Sequence, residues 1–235
     1  MSVVEFLTLV LRKQLIFRQF RGLQRNDRAE GKIPEGFWEA FERDAAKSGA
    51  SAAEIAETRR RAEVSLYRLC CFRYVSCWTM ATTENALLWQ VYAPHGIAVR
   101  TRVGKLRTAK ILTPSEHIAI LSTGMEYADD WSELEERGLQ HYGVVPNRLF
   151  LHTKRSLFAD ENEVRFFIDP PAIFEPIPGP QMADPAKMPP WYSVTFETLT
   201  WIEEIVADSS LRDWAITTLA KICEPHGLKF RQSGR

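Results

Sequence analysis

The segment Glu161-Asn-Glu163-Val-Arg165 concentrates acid and base chemistry within five residues. On a β-strand alternate side chains share a face, so Glu161, Glu163 and Arg165 are expected to point together, with Val164, Phe166 and Ile168 forming the opposite, buried face. Two carboxylates about 7 Å apart along a strand repel each other unless cations or a ligand lie between them. Arg165 can neutralise one, and Lys154 or Arg155 can serve the other. The bland reading is a solvated strand face carrying a surface ion pair. The functional reading is a carboxylate held to stabilise a cationic transition state, such as an oxocarbenium ion at a ribose C1′.

Two further groups carry potential chemistry. Trp89 and Tyr92 stand three apart on an expected helix, which puts them on one face. With Trp78 they offer an aromatic wall for a nicotinamide, an adenine or a flipped base, or else ordinary core packing. The turn Asn26-Asp27-Arg28-Ala29-Glu30-Gly31 suits Asp and Asn as turn formers, and Asp27 and Glu30 would orient basic groups or a ribose hydroxyl. The five histidines give no nucleophile–base spacing, and no G-x-S-x-G, Walker or G-x-G-x-x-G motif occurs. Serine-hydrolase, P-loop and Rossmann chemistry are thus unsupported. The four cysteines form no C-x-x-C pair and no Cys/His cluster has zinc spacing, so no metal is expected.

The elements that must position these residues follow from periodicity. Helices are expected over 3–13, 37–47, 51–70, 84–92, 130–140 and 211–224, the third opened by the capping-box pattern Ser51-Ala-Ala-Glu54. Strands are expected over 14–20, 74–80, 96–103, 117–127 and 161–168, with strand signals across 192–206 and a closing strand at 228–232. Eight of the 13 prolines fall between Pro170 and Pro190, which marks a long irregular loop. Strands and helices mix without regular βα alternation, which predicts a single α+β domain over residues 1–235, with a twisted, mainly antiparallel sheet flanked by helices.

Composition bounds the rest. In 235 residues, 30 Lys and Arg balance 30 Asp and Glu, so no global basic field exists to hold nucleic acid or an anionic membrane. Local patches remain, Arg59 to Arg61 among them, and these also fit the solvated side of a long helix. No apolar run approaches the roughly 18 residues of a membrane span, and the N-terminal charge pattern is not that of a secretory signal. A reduced, cytoplasmic protein is expected, with no oligomeric state fixed.

Several blocks together resemble an uncharacterised bacterial domain family scattered among mobile-element and anti-phage defence genes. Its L-x-F strand and D-P-x-E-G turn match Leu15-Ile-Phe17 and Asp27-Arg-Ala-Glu30-Gly31. Its tryptophan block matches Cys77-Trp78, Glu84, Trp89 and Tyr92, followed by Gly96-Ile-Ala-Val99. Its late K-R-x-x-F-x-x-E-x-E-x-R block matches Lys154, Arg155, Phe158, Glu161, Glu163 and Arg165. The chain departs from that pattern at Arg28, where Pro is usual, and in its longer Pro-rich loop. This resemblance implies one shared polar site in a bacterial effector and supplies no reaction.

A more distant similarity is to ADP-ribosyltransferases of the arginine–serine–glutamate type, carried by Ile16-Phe-Arg18 (or Arg21), Thr101 and Glu161-Asn-Glu163 in that order. It implies NAD as co-substrate, with Arg18 on the diphosphate and Thr101 bracing Glu163. Glu163 would then stabilise the ribosyl cation, a tryptophan or tyrosine would stack on the nicotinamide, and Glu161 would act as general base. The expected function is action on an N-glycosyl bond, most concretely NAD-dependent ADP-ribosyl transfer. Base excision from nucleic acid or related nucleotide processing, and a non-catalytic binding module, are the alternatives.

Overall fold

The computed structural model describes residues 1–25, 27–112, 118–130, 132–133, 149–169, 184 and 187–234. The chain opens with helix α1 (Val3–Arg12), where Ser2 and Glu5 form a reciprocal capping box and Lys13 ends the helix in the left-handed region. Strand β1 (Gln14–Gln19) follows, and a 3₁₀ turn over Phe20–Arg25 leads into the Asp27–Gly31 turn. Helix α2 (Glu35–Lys47) precedes the long α3 (Ala52–Phe72), which starts at the expected Ser51/Glu54 capping box. Arg59 draws Glu35 and Glu42 of α2 and Glu63 of its own helix together and so ties the two helices, while Arg60 and Arg61 pair with Glu57 of their own helix.

Strand β2 (Tyr74–Thr79), the Asn85-capped α4 (Ala86–Tyr92), β3 (Ile97–Thr101) and the short α5 (Val103–Arg107) come next. Then follow β4 (Leu121–Gly124), β5 (Glu126–Tyr127), β6 (Thr153–Lys154), β7 (Glu163–Ile168) and β8 (Trp191–Thr195). The chain closes with β9 (Ile202–Ala207), α6 (Asp213–Cys223) and β10 (Phe230–Gln232). Most of the expected helix over 130–140, the start of the 117–127 strand and most of the Pro-rich loop lie outside the described residues.

The expected α+β architecture holds, with a mainly antiparallel sheet. Five strands in the order β4-β7-β2-β1-β8 pair antiparallel throughout. A second sheet, β10-β9-β3, has β3 antiparallel and β10 parallel to β9. The two sheets enclose the main core. Phe17, Tyr74, Phe166 and Val194 of the large sheet meet Ile97 and Ile205 of the small one, sealed by Phe6 and Leu9 of α1 and Leu219 of α6. Across the large sheet, Phe20, Val75 and Phe167 pack on Leu66 and Cys70 of α3 and on Phe150 and Leu151.

One irregularity shapes the functional face. β1 and β2 pair at Arg18↔Val75 and Gln19↔Tyr74 and then part. From there β1 continues against β8, and β2 against β7. Between them opens a cavity of about 1180 Å³, with Gln14 to Ile16 on one bank and Ser76 to Thr79 on the other. Among the described residues no helix is long and apolar enough to cross a membrane.

Candidate functional site

Most of the candidate residues named from the sequence line this cavity, Arg21 and Arg155 being the exceptions, although not in the arrangement expected. The correction begins at Glu161. It closes a 3₁₀ turn over Ser156–Glu161, and Asn162 adopts a left-handed φ of 42°, so the strand starts only at Glu163. Asn and Asp tolerate that conformation better than other non-glycine residues. Glu161 and Glu163 therefore do not alternate along one strand. They converge instead on one ammonium, with Lys154 Nζ donating to Glu161 Oε2 at 2.5 Å and to Glu163 Oε2 at 3.2 Å. A solvated strand face is also ruled out, since all six residues of β7 are buried and Arg165 is 0% exposed.

Arg165 organises the floor. Its Nε and Nη2 reach the two oxygens of Glu163 at 2.7 and 3.1 Å, its Nη1 donates to the Leu151 carbonyl at 3.1 Å, and its Nη2 also donates to Glu30. A fully buried guanidinium is tolerable only with its donors engaged in this way. Glu30 arrives from the turn after β1. Asp27 Oδ1 accepts from Ala29 N at 3.0 Å, Glu30 N donates to the Asp27 carbonyl at 3.1 Å, and Gly31 takes φ +66°. A Cβ on Gly31 would lie 2.7 Å from the Phe20 ring, so this turn requires glycine in both conformation and space. Asp27, 2% exposed, pairs with Arg155 at 3.0 Å, which fastens the turn to the β6 segment.

The electrostatics follow from this crowding. Burial raises the pKa of Glu163, but the Arg165 hydrogen bond and charge, Lys154 and the Cys77 thiol outweigh it and hold the carboxyl below its ordinary range. Burial drives Glu30 the other way, and Arg165 and Lys154 offset only part of it, so its pKa is raised. Lys154 stays a cation because Glu163 and Glu161 overcome its burial. Three carboxyl groups thus share two cations.

The remaining candidates separate into distinct roles. Tyr92, from α4, donates its hydroxyl to Glu161. Trp89 does not stand beside it as a wall; it is buried with Ala93 and Val206, and its side chain hydrogen-bonds Glu84. Trp78 sits edge-on to Phe166 and Trp201, its indole N–H on Ser76 Oγ at 2.9 Å. Arg18, with a side chain 70% exposed, pairs with Glu5 at 2.8 Å.

Thr101 does not brace Glu163. Its hydroxyl donates to the Trp201 carbonyl at 2.5 Å. No family model, curated protein or solved structure matches this chain. The roles within the cavity therefore rest on its own geometry.

Two residues that sequence reasoning passed over supply the bracing. Glu163 N donates to Tyr127 Oη at 2.7 Å, and Cys77, opposite Arg165 on the neighbouring strand, hydrogen-bonds the Glu163 carboxylate. Cys77 is crowded by protein, which pushes its thiol pKa well up, yet its accessible surface opens on the cavity. Neither contact has a sequence signal, because both depend on which strands become neighbours. Among the described residues no group of three His, Cys, Asp or Glu side chains is placed to hold a metal ion. The arrangement is an aromatic-edged cavity over an ionised, cation-braced carboxylate, with the exposed guanidinium of Arg18 also on its lining.

Proposed function

We propose that this chain acts on the N-glycosyl bond of a nucleotide, with NAD-dependent ADP-ribosyl transfer as the concrete form. The observation that carries this reading is the state of Glu163. It is buried, held ionised and placed on the lining of the cavity. As an N-glycosyl bond lengthens, positive charge grows on the ribose C1′ and ring oxygen, and a fixed carboxylate in a water-poor site stabilises that charge more than it stabilises the substrate. Arg165, Lys154, Cys77 and the Tyr127 hydroxyl hold Glu163 in place without reorganisation during the reaction.

The cavity is larger than the roughly 300–1,000 Å³ usual for small ligands, in keeping with a dinucleotide. Arg18 is free to exchange its surface pair with Glu5 for a diphosphate, since such exposed pairs contribute little stability. Trp78 and Tyr92 supply ring faces and edges for a base. Together with the resemblance to defence-associated domains, this reading describes a bacterial cytosolic effector. Transfer of label from adenylate-labelled NAD to cell lysate tests it. Labelled macromolecule that disappears with Glu163→Gln supports the reading, and no labelling in any lysate contradicts transfer.

The mutual satisfaction of Arg165, Lys154, Glu161 and Glu163 favours a second reading, a binding module in which this network is only a scaffold. Nucleotide binding without turnover would support it.

A further inference from the structure

The three carboxylates on the cavity floor are not equivalent. Glu161 has one oxygen on Lys154 and the other on Tyr92. Glu163 has both oxygens on Arg165 and one also on Lys154. Glu30 has Oε1 on Arg165, while Oε2 has no hydrogen-bond partner among the described residues. Glu30, 3% exposed, lines the cavity. Of the three carboxyl groups on the floor, it is the one with an oxygen that no other described residue engages.

We infer that Glu30 is the proton donor of this site, and that the cavity accordingly also accepts purine nucleotides and releases their base. The inference rests on the N-glycosyl reading above. The chemistry separates two kinds of leaving group. Nicotinamide departs from a pyridinium as a neutral molecule and needs no proton. Adenine departing from N9 takes the bonding pair with it and must be protonated to leave as a neutral base, which is the work of a general acid.

In that step the C1′–N9 bond breaks and its electron pair goes to the base, while Glu30 gives its proton to a ring nitrogen. Water then adds its oxygen to C1′ and returns a proton to the Glu30 carboxylate. The products are free base and ribose phosphate, and Glu163 stays ionised beside the cation throughout.

The groups facing Glu30 are Arg165 and Glu163 from β7, Lys154 from β6, Cys77 from β2 and Cys70 from α3. Burial, reinforced by Glu163, favours the protonated form over the opposing pull of Arg165 and Lys154. Two carboxyl groups on one guanidinium with pKa values driven apart match a division into proton donor and ionised stabiliser.

The test is adenine release from AMP by the wild-type chain, Glu30→Gln and Glu30→Asp across pH, with nicotinamide release from NAD measured alongside. Adenine release by the wild type should fall as pH rises through the raised pKa of Glu30. Glu30→Gln should lower it by about 10²–10⁴-fold and remove that limb, and Glu30→Asp should keep the limb and recover part of the rate. A merely structural Glu30 would leave the wild-type profile without the limb, and that result overturns the inference. So does a Glu30→Gln variant with an unchanged rate or profile. Release of nicotinamide but of no adenine by the wild type also overturns it while the N-glycosyl reading stands. Release of neither base brings down that reading and the inference with it.

Discussion

Arg165 clasps Glu163, two positions before it on the same strand, with Nε and Nη2 on opposite carboxylate oxygens at 2.7 and 3.1 Å. Side chains at i and i+2 share a strand face, so β7 carries its own ion pair into the interior and needs no second element to form it. The same guanidinium then collects Glu30 from a distant turn. Removing it would leave Glu30 without its ion-pair partner and Glu163 with Lys154 alone.

Arg165→Met should therefore cost about 3–5 kcal/mol at neutral pH, the range for breaking a buried pair from one side. The deficit should narrow on acidification. In the wild type the depressed Glu163 pKa contributes stability above its unfolded value, and this is lost as pH falls through the folded pKa. In the variant Glu163 loses the hydrogen bonds and charge that hold its pKa down most, and Glu30 loses the cation that most opposes its burial, so both protonated forms are tolerated at low pH and the penalty grows as pH rises. Urea unfolding at several pH values reads the gap, and a gap independent of pH would contradict this electrostatic account.

Gly31→Ala is expected to destabilise by at least about 1 kcal/mol, because φ +66° is unfavourable for alanine and its methyl would meet Phe20. The strain falls on the residue next to Glu30. A variant as stable as the wild type would show that the turn can shift without loss.

Much of this fold is legible in sequence, and the reasons are local. The capping boxes at Ser2/Glu5 and Ser51/Glu54 and the strand periodicities depend on neighbours a few residues away. The boundary at Asn162 was not legible, because E-N-E-V-R fits an extended strand as well as a turn that ends on a left-handed Asn. Nor was the burial of Glu163 and Arg165, which depends on β2 and β4 flanking β7 and on Leu151 covering it. Charge balance put Lys154 or Arg155 beside one of the two glutamates; Lys154 in fact takes both and Arg155 goes to Asp27, whereas Tyr127 and Cys77 entered only through strand adjacency. Thr101 had the right order in the chain and the wrong neighbour in space.

Cys77 offers an independent probe of the cavity. Cys70, Cys71 and Cys223 are buried, whereas Cys77 is reachable. Its raised pKa keeps it a thiol at neutral pH, so it should react with iodoacetamide more slowly than free cysteine and still be the first of the four to label. A nucleotide occupying the cavity should slow that labelling further. Labelling unaffected by a nucleotide that binds would place the ligand elsewhere.

The central claim is that Glu163 stabilises a ribosyl cation, and nicotinamide release from NAD under single-turnover conditions tests it most directly. Wild-type release with a loss of at least about 10²-fold in Glu163→Gln, at unchanged NAD affinity, is the predicted result. Equal release by the two proteins would contradict the claim.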